Sequence, residues 1–241
     1  MQPNVNISIK LLREIGKKLA RYFDERSQHA STGTEFQPTA QQFLGSLVEK
    51  LQYEVQKVYE DIVLIDLNTA TEAELASYGN ADVLGYQLVD GIDNFINNIP
   101  LFSISLCHFK ASQIQHAALY DPLSDETFHA IKGMGAQLNG RRLRIVTSST
   151  IRIAYPNKLK FAMHPAIPQQ AVRLLGAPNL ELAFLAANRA DLVLQQNSLN
   201  LSNVVGKLLA KEAGATCFNL HNDQISAYGS IDLLKKVVDS L

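Results

Sequence analysis

The order in which hydrophobic periods change along this chain is its tightest constraint. Val5, Ile9, Leu12, Ile15, Leu19 and Tyr22 recur at steps of three and four. That spacing lines one face of a helix and predicts one over about residues 4–26. The polar, turn-rich stretch QHASTGTEFQPT reads as a loop. Leu44, Leu47, Leu51, Val55 and Val58 then repeat the helical period. Two helices therefore precede any strand. DIVLIDL is a short β-branched run and reads as a buried strand, ATEAELASY as a short helix, and VLGYQLVD as the next strand. The stretches LFSISLCHF, QIQHAALYD, ETFHAIKG and AQLNGRRLRI follow at a spacing of about 10 residues, with the turn pair Asn139-Gly140 in the last, which predicts an antiparallel meander.

The final third alternates instead. LKFAMH reads as a strand, PQQAVRLL as a helix, ELAFLAANRA as a helix and DLVLQ as a strand. LSNVVGKLLAKEAG follows as a helix closed by Gly214, then the strand ATCFNL and the terminal helix SIDLLKKVVDSL. Helices, then a meander, then β–α alternation argue for a layered α/β (α+β) sandwich in two lobes, 1–150 and 151–241. A chain of 241 residues, 46% hydrophobic, is long enough to bury such a core. Lys and Arg number 22 against 23 Asp and Glu, and this balance favours neither nucleic acid nor an anionic membrane as partner. The N-terminal MQPNVNISIKLLREIGKK has no uninterrupted apolar core of a signal peptide, and no run approaches membrane-spanning length. A cytoplasmic protein is expected, with Cys107 and Cys217 as two buried, reduced thiols. The six His (29, 108, 116, 129, 164 and 221) show no metal-ligand spacing and read as structural or surface residues.

One short stretch carries the chemistry. In LVDGIDNF, residues 88 to 95, an Asp-Gly pair ends a strand-like run and a second acid, Asp93, follows. The nonamer from Gln87 to Phe95 lines up with the D-P-x-D-G-T-x-N-F signature of the inositol monophosphatase family. ALYDPLSDETFHAIKGMGAQLNGRRLRI is similar to that family's GVVYDPxxxExFxAxKGxGAxxNGxxLxV, LLGAPNLELAFLAANRADLVLQ to RxxGSAALxLAxVAxGRADxYxE, and VVGKLLAKEAG to AAGxxLVxEAGG. The chain thus resembles the Mg²⁺-dependent, lithium-sensitive sugar phosphatases over nearly its whole length. The resemblance implies an α-β-α-β-α sandwich of the inositol monophosphatase and fructose-1,6-bisphosphatase type.

The same alignment removes most of the family's ligands. Gln87 stands at the first Asp of the central motif, Ser202 at the Asp of W-D-x-A-A-G, and Ile92 at the Thr that activates water. No G-E-E turn exists, though Asp66 lies near its place, and QQFLGSL lacks the acids of the family's second helix. Asp90, with Asp66 and Asp93, remains as a metal-ligand candidate. Two dications held about 4 Å apart need several converging carboxylates, which neutral Gln87 and Ser202 do not supply. An alkyl branch at 92 has no hydroxyl to orient a nucleophile. The backbone N–H groups of Gly91 and Ile92, opening the helix DNFINN, are candidates for holding a phosphate; Asp93 on that first turn also reads as a capping acid. Gln195 occupies a position where the family often has a substrate-contacting Glu.

Two functions follow. One is a family member with lost or reduced phosphatase activity and a binding or regulatory role, a homodimer like its relatives, with a sugar phosphate or a protein as partner and no cofactor. The other is a divergent Mg²⁺-dependent phosphomonoesterase acting on inositol monophosphate or a related sugar phosphate. Asp66 separates them, because the second needs it within metal reach of Asp90.

Overall fold

The computed structural model describes residues 3–32, 37–148, 150–156, 167–220 and 224–238. Helices α1 (Pro3–Thr32) and α2 (Ala40–Gln56) open the chain. The α1 stripe predicted from periodicity is buried except for the half-buried Ile9, as are Leu47, Leu51 and Val55 of α2, whereas Val58 lies past the helix end and is exposed. β1 (Val63–Asp66) leads through α3 (Glu72–Ser77) to β2 (Asp82–Asp90) and the single-turn α4 (Ile92–Ile96). The meander comprises β3 (Ser103–Lys110), β4 (Gln113–Asp121), β5 (Glu126–Ile131), β6 (Gly135–Leu138) and β7 (Arg141–Arg142). β1 to β7 form one sheet in chain order, β1–β2 parallel and the rest antiparallel.

The second sheet has the order β10-β11-β9-β8, from β8 (Ala154–Pro156), β9 (Leu192–Gln196), β10 (Thr216–Leu220) and β11 (Ile225–Gly229). Helices α5 (Pro178–Ala186) and α6 (Val204–Glu212) lie between the sheets, and α7 (Ile231–Val238) covers the far face. Burial follows these layers. Leu12, Leu19 and Leu51 pack with Ile104 and Tyr120 on one face of the large sheet, while Leu180, Ala183 and Leu209 pack with Phe109, Leu119 and Phe128 on the other. Leu182 and Leu185 meet Val193 and Tyr228 of the small sheet, whose opposite face buries Leu233 and Leu234. This is the expected α-β-α-β-α sandwich.

Several expectations need correction. PQQAVRLL forms a 3₁₀ turn, Gln169–Ala171, and no α-helix. Val172 is extended and bridges Ala154, where Arg173 N–H donates to the Ala154 carbonyl at 2.9 Å; the sheet edge claims the backbone that a helix would use. α5 begins three residues before ELAFLAANRA, with Pro178 at its first turn, and ends where Asn188 turns to φ 58°. β8 and β11 were not foreseen. Cys217 is exposed, because alternate residues of the edge strand β10 face solvent; Cys107 is buried and both thiols are free. LKFAMH, His164 and His221 lie outside the described residues.

Candidate functional site

The site forms where β2 loses its pairing. The β2–β3 register shifts between Gln87 and Asp90. Leu88 and Val89 both enter the core under α1 and α2, so Asp90 swings back to the side Gln87 faces, as a bulge allows. Gly91 then takes φ 84°, and a Cβ there would lie 2.8 Å from the Leu101 carbonyl oxygen. Only glycine fits that corner. Asn94 braces it, donating to the Leu101 carbonyl at 2.8 Å and the Leu175 carbonyl at 2.6 Å.

Asp90 is 2% exposed and its Oδ2 accepts the Leu180 N–H at 3.0 Å. It thereby caps α5, whose own N-cap, Ala177, has no side chain for the task. Burial pushes its pKa up to about 7 and the nearby Glu181 adds to the rise, against the backbone N–H donors that lower it. Glu181 was missed from sequence because it sits in an apolar helix, LELAFLA. It is 3% exposed, and burial likewise raises it to about 7.

Gln87 is 4% exposed and uses both ends of its amide. Its Nε2 donates to Asn68 Oδ1 at 2.8 Å and its Oε1 accepts from Asn179 Nδ2 at 2.7 Å. Asn179 is fully buried; the same Nδ2 donates to the Ser202 carbonyl at 2.6 Å, and Oδ1 accepts the Gly206 N–H at 2.7 Å. Ser202 Oγ donates to Asn200 Oδ1 at 2.6 Å, and Asn200 Nδ2 donates to the Asn68 carbonyl at 2.7 Å. The positions aligned with metal-binding acids are thus joined by a closed ring of neutral amides and a hydroxyl. Asn68 and Asn179 went unnoticed because amides in DLNTA and APNLE carry no metal-ligand signature of their own.

The other candidates do not converge. Asp66 accepts through Oδ1 from Asn68 N–H at 2.9 Å and Asn68 Nδ2 at 3.0 Å, an Asx turn at the end of β1. Asn68, and not Asp66, reaches Gln87. Asp93 lies on the exposed side of α4, beside Ile92. Gln195 is fully buried and donates to the Pro178 carbonyl at 2.7 Å. Among the described residues no three His, Cys, Asp or Glu come together to hold a metal ion. Mg²⁺ wants an oxygen octahedron with compensating charge; Asp90, committed to the α5 terminus, and Glu181, held by the backbone N–H groups of Gly176 and Leu175, do not supply it. Among the described residues, no helix is long and apolar enough to cross a membrane.

Comparison with known proteins agrees with the layered fold. The model of the Inositol monophosphatase family matches residues 1–238. The Nus factor SuhB of Buchnera aphidicola subsp. Baizongia pistaciae is 28% identical over 247 residues, covering 94% of this chain and 90% of its own. Fructose-1,6-bisphosphatase of Pyrococcus furiosus is 31% identical over 171 residues, 67% of each chain. The crystal structure of extragenic suppressor protein suhB from Bartonella henselae superposes with a TM-score of 0.79 at 19% identity, covering 99% of this chain and 98% of that one.

Proposed function

Because the chain belongs to the inositol monophosphatase family, we propose that it keeps that fold as a cytoplasmic binding or regulatory protein and has set aside phosphate-ester hydrolysis. The observation carrying this reading is the Gln87–Asn179 contact of 2.7 Å, an amide pair where the family needs charge. Hydrolysis in this fold depends on cations that neutralise the substrate phosphate and ionise water, and the residues at 87, 92 and 202 supply neither charge nor a hydroxyl aimed at a nucleophile. Relatives that carry the name Nus factor SuhB support action through a partner over action on a small substrate. In the competing reading Asp66, Asp90 and Asp93 rebuild a weak Mg²⁺ site; against it, Asp66 is engaged by Asn68, Asp90 by the Leu180 N–H, and Asp93 lies exposed on α4.

The test is calorimetric titration with Mg²⁺ alongside hydrolysis of inositol monophosphate at several Mg²⁺ concentrations. No saturable heat and no Mg²⁺-dependent turnover are expected. Turnover that Asp90→Asn abolishes would overturn the reading in favour of a rebuilt phosphatase.

A further inference from the structure

We infer that the Asn179 side chain is an internal replacement for bound metal, an amide plug that ties together the elements a cation would bridge and excludes the cation while it is there. The inference takes from the proposed function only that positions 87 and 202 are former ligand positions. It adds to that reading, since a site stripped of acids could equally stay open.

Three features point to the plug, the first two sharing the Asn179–Gly206 hydrogen bond. The first is valence: the Asn179 amide spends Nδ2 on the Gln87 Oε1 and Ser202 carbonyl oxygens and Oδ1 on the Gly206 N–H. A donor nitrogen aimed at two oxygens occupies the place where a cation would collect them, and it offers no lone pair in return. The second is helix capping. Asn203 at the start of α6 makes no side-chain cap, and Asn179 supplies the missing acceptor from the neighbouring helix. The third is space. A Cβ on Gly206 would lie 3.0 Å from both Cα and Oδ1 of Asn179 and 2.9 Å from Leu182 Cβ, so α6 approaches α5 only because residue 206 is glycine. Asn179 aligns with the second Ala of the family's G-S-A-A-L motif. An alanine there leaves that space free, and this chain fills it with a group of matched polarity.

The ring therefore links four parts of the chain. Asn68 follows β1, Gln87 lies on β2, Asn179 on the first turn of α5, and Ser202 with Gly206 at the entry to α6. Carboxylates at those positions would repel one another without a cation; neutral amides satisfy one another without it.

The test compares the native chain, Asn179→Ala, the acid set Asn68→Glu/Gln87→Asp/Ser202→Asp, and the acid set with Asn179→Ala added. Each is titrated with MgCl₂ by calorimetry and melted with and without it. A Mg²⁺-dependent rise in Tm and saturable heat are expected only when acids are present and Asn179→Ala is included. Equal Mg²⁺ binding by the acid set with Asn179 retained would overturn the plug. Should the acid sets not fold, hydrogen exchange at the Gly206 amide in the native chain and in Asn179→Ala decides the matter. Protection of that amide is expected to fall about tenfold or more, as befits one lost buried hydrogen bond. Unchanged Gly206 exchange, with no Mg²⁺ binding by the native chain, would overturn the plug and leave the proposed function standing.

Discussion

His116 sits on β4 with 2% of its surface exposed, Ser8 Oγ 3.2 Å from its Nε2 and the His108 ring stacked at 5.5 Å. Burial, with His108 and His129 nearby, lowers its pKa to about 4. The unfolded chain therefore binds this proton more readily than the folded one below its ordinary pKa of about 6.5. The folded state loses stability as pH falls from about 6.5 towards 4, and the loss levels off below that. His116→Gln is expected to flatten that part of a Tm-versus-pH curve; an unchanged slope would assign it to other groups. Asn179 makes a second case at this scale. Asn179→Ala strands Gln87 Oε1 and the Gly206 N–H, and urea unfolding is expected to show a loss of about 1–3 kcal/mol. Neither role was legible in sequence. The partners of His116 come from α1 and the neighbouring strand β3, and the Asn179 partners lie 92, 23 and 27 positions away.

Among the elements, caps separate what is local from what is not. α2 carries a capping box: Gln42 N–H donates to Thr39 Oγ1 at 3.3 Å, and Thr39 N–H to Gln42 Oε1 at 3.0 Å. Thr39→Ala is expected to cost about 1 kcal/mol in urea unfolding, with the fold intact. α5 and α6 have no such local device and take their caps from Asp90 and Asn179. The β5–β6 hairpin is likewise held from afar: Glu212 on α6 accepts the Gly133 N–H at 2.8 Å and the Gly135 N–H at 2.9 Å. Glu212→Ala is expected to speed amide exchange at Gly133 and Gly135 while leaving exchange in α2 untouched. Long periodic helices were readable because one stripe decides them. The PQQAVRLL stretch was not, since pairing at Ala154, outside its own sequence, sets its shape.

Across the whole molecule the two thiols report the packing of the layers. Cys107 lies on β3 beneath α5 and α6 with none of its surface exposed, and burial pushes its thiol pKa far up. Cys217 is on the exposed side of edge strand β10. A thiol reagent is expected to label Cys217 at once and Cys107 only at the rate of unfolding. Fast labelling of both would mean that the large sheet opens far below the global transition. By itself the sequence determined the helix–meander–alternation order and the buried stripes, because these depend on local period, and it placed Gln87, Ile92 and Ser202 at the family's motif positions, because that depends on residue identity. It left open which groups those residues meet. That Leu88 and Val89 share one side of a bulge, that Asp66 turns inward on Asn68, and that Asn179 closes the ring with Gln87 and Gly206 were decided by the tertiary structure. Hydrogen-bond partners distant in the chain meet only once both sheets are packed against α5 and α6.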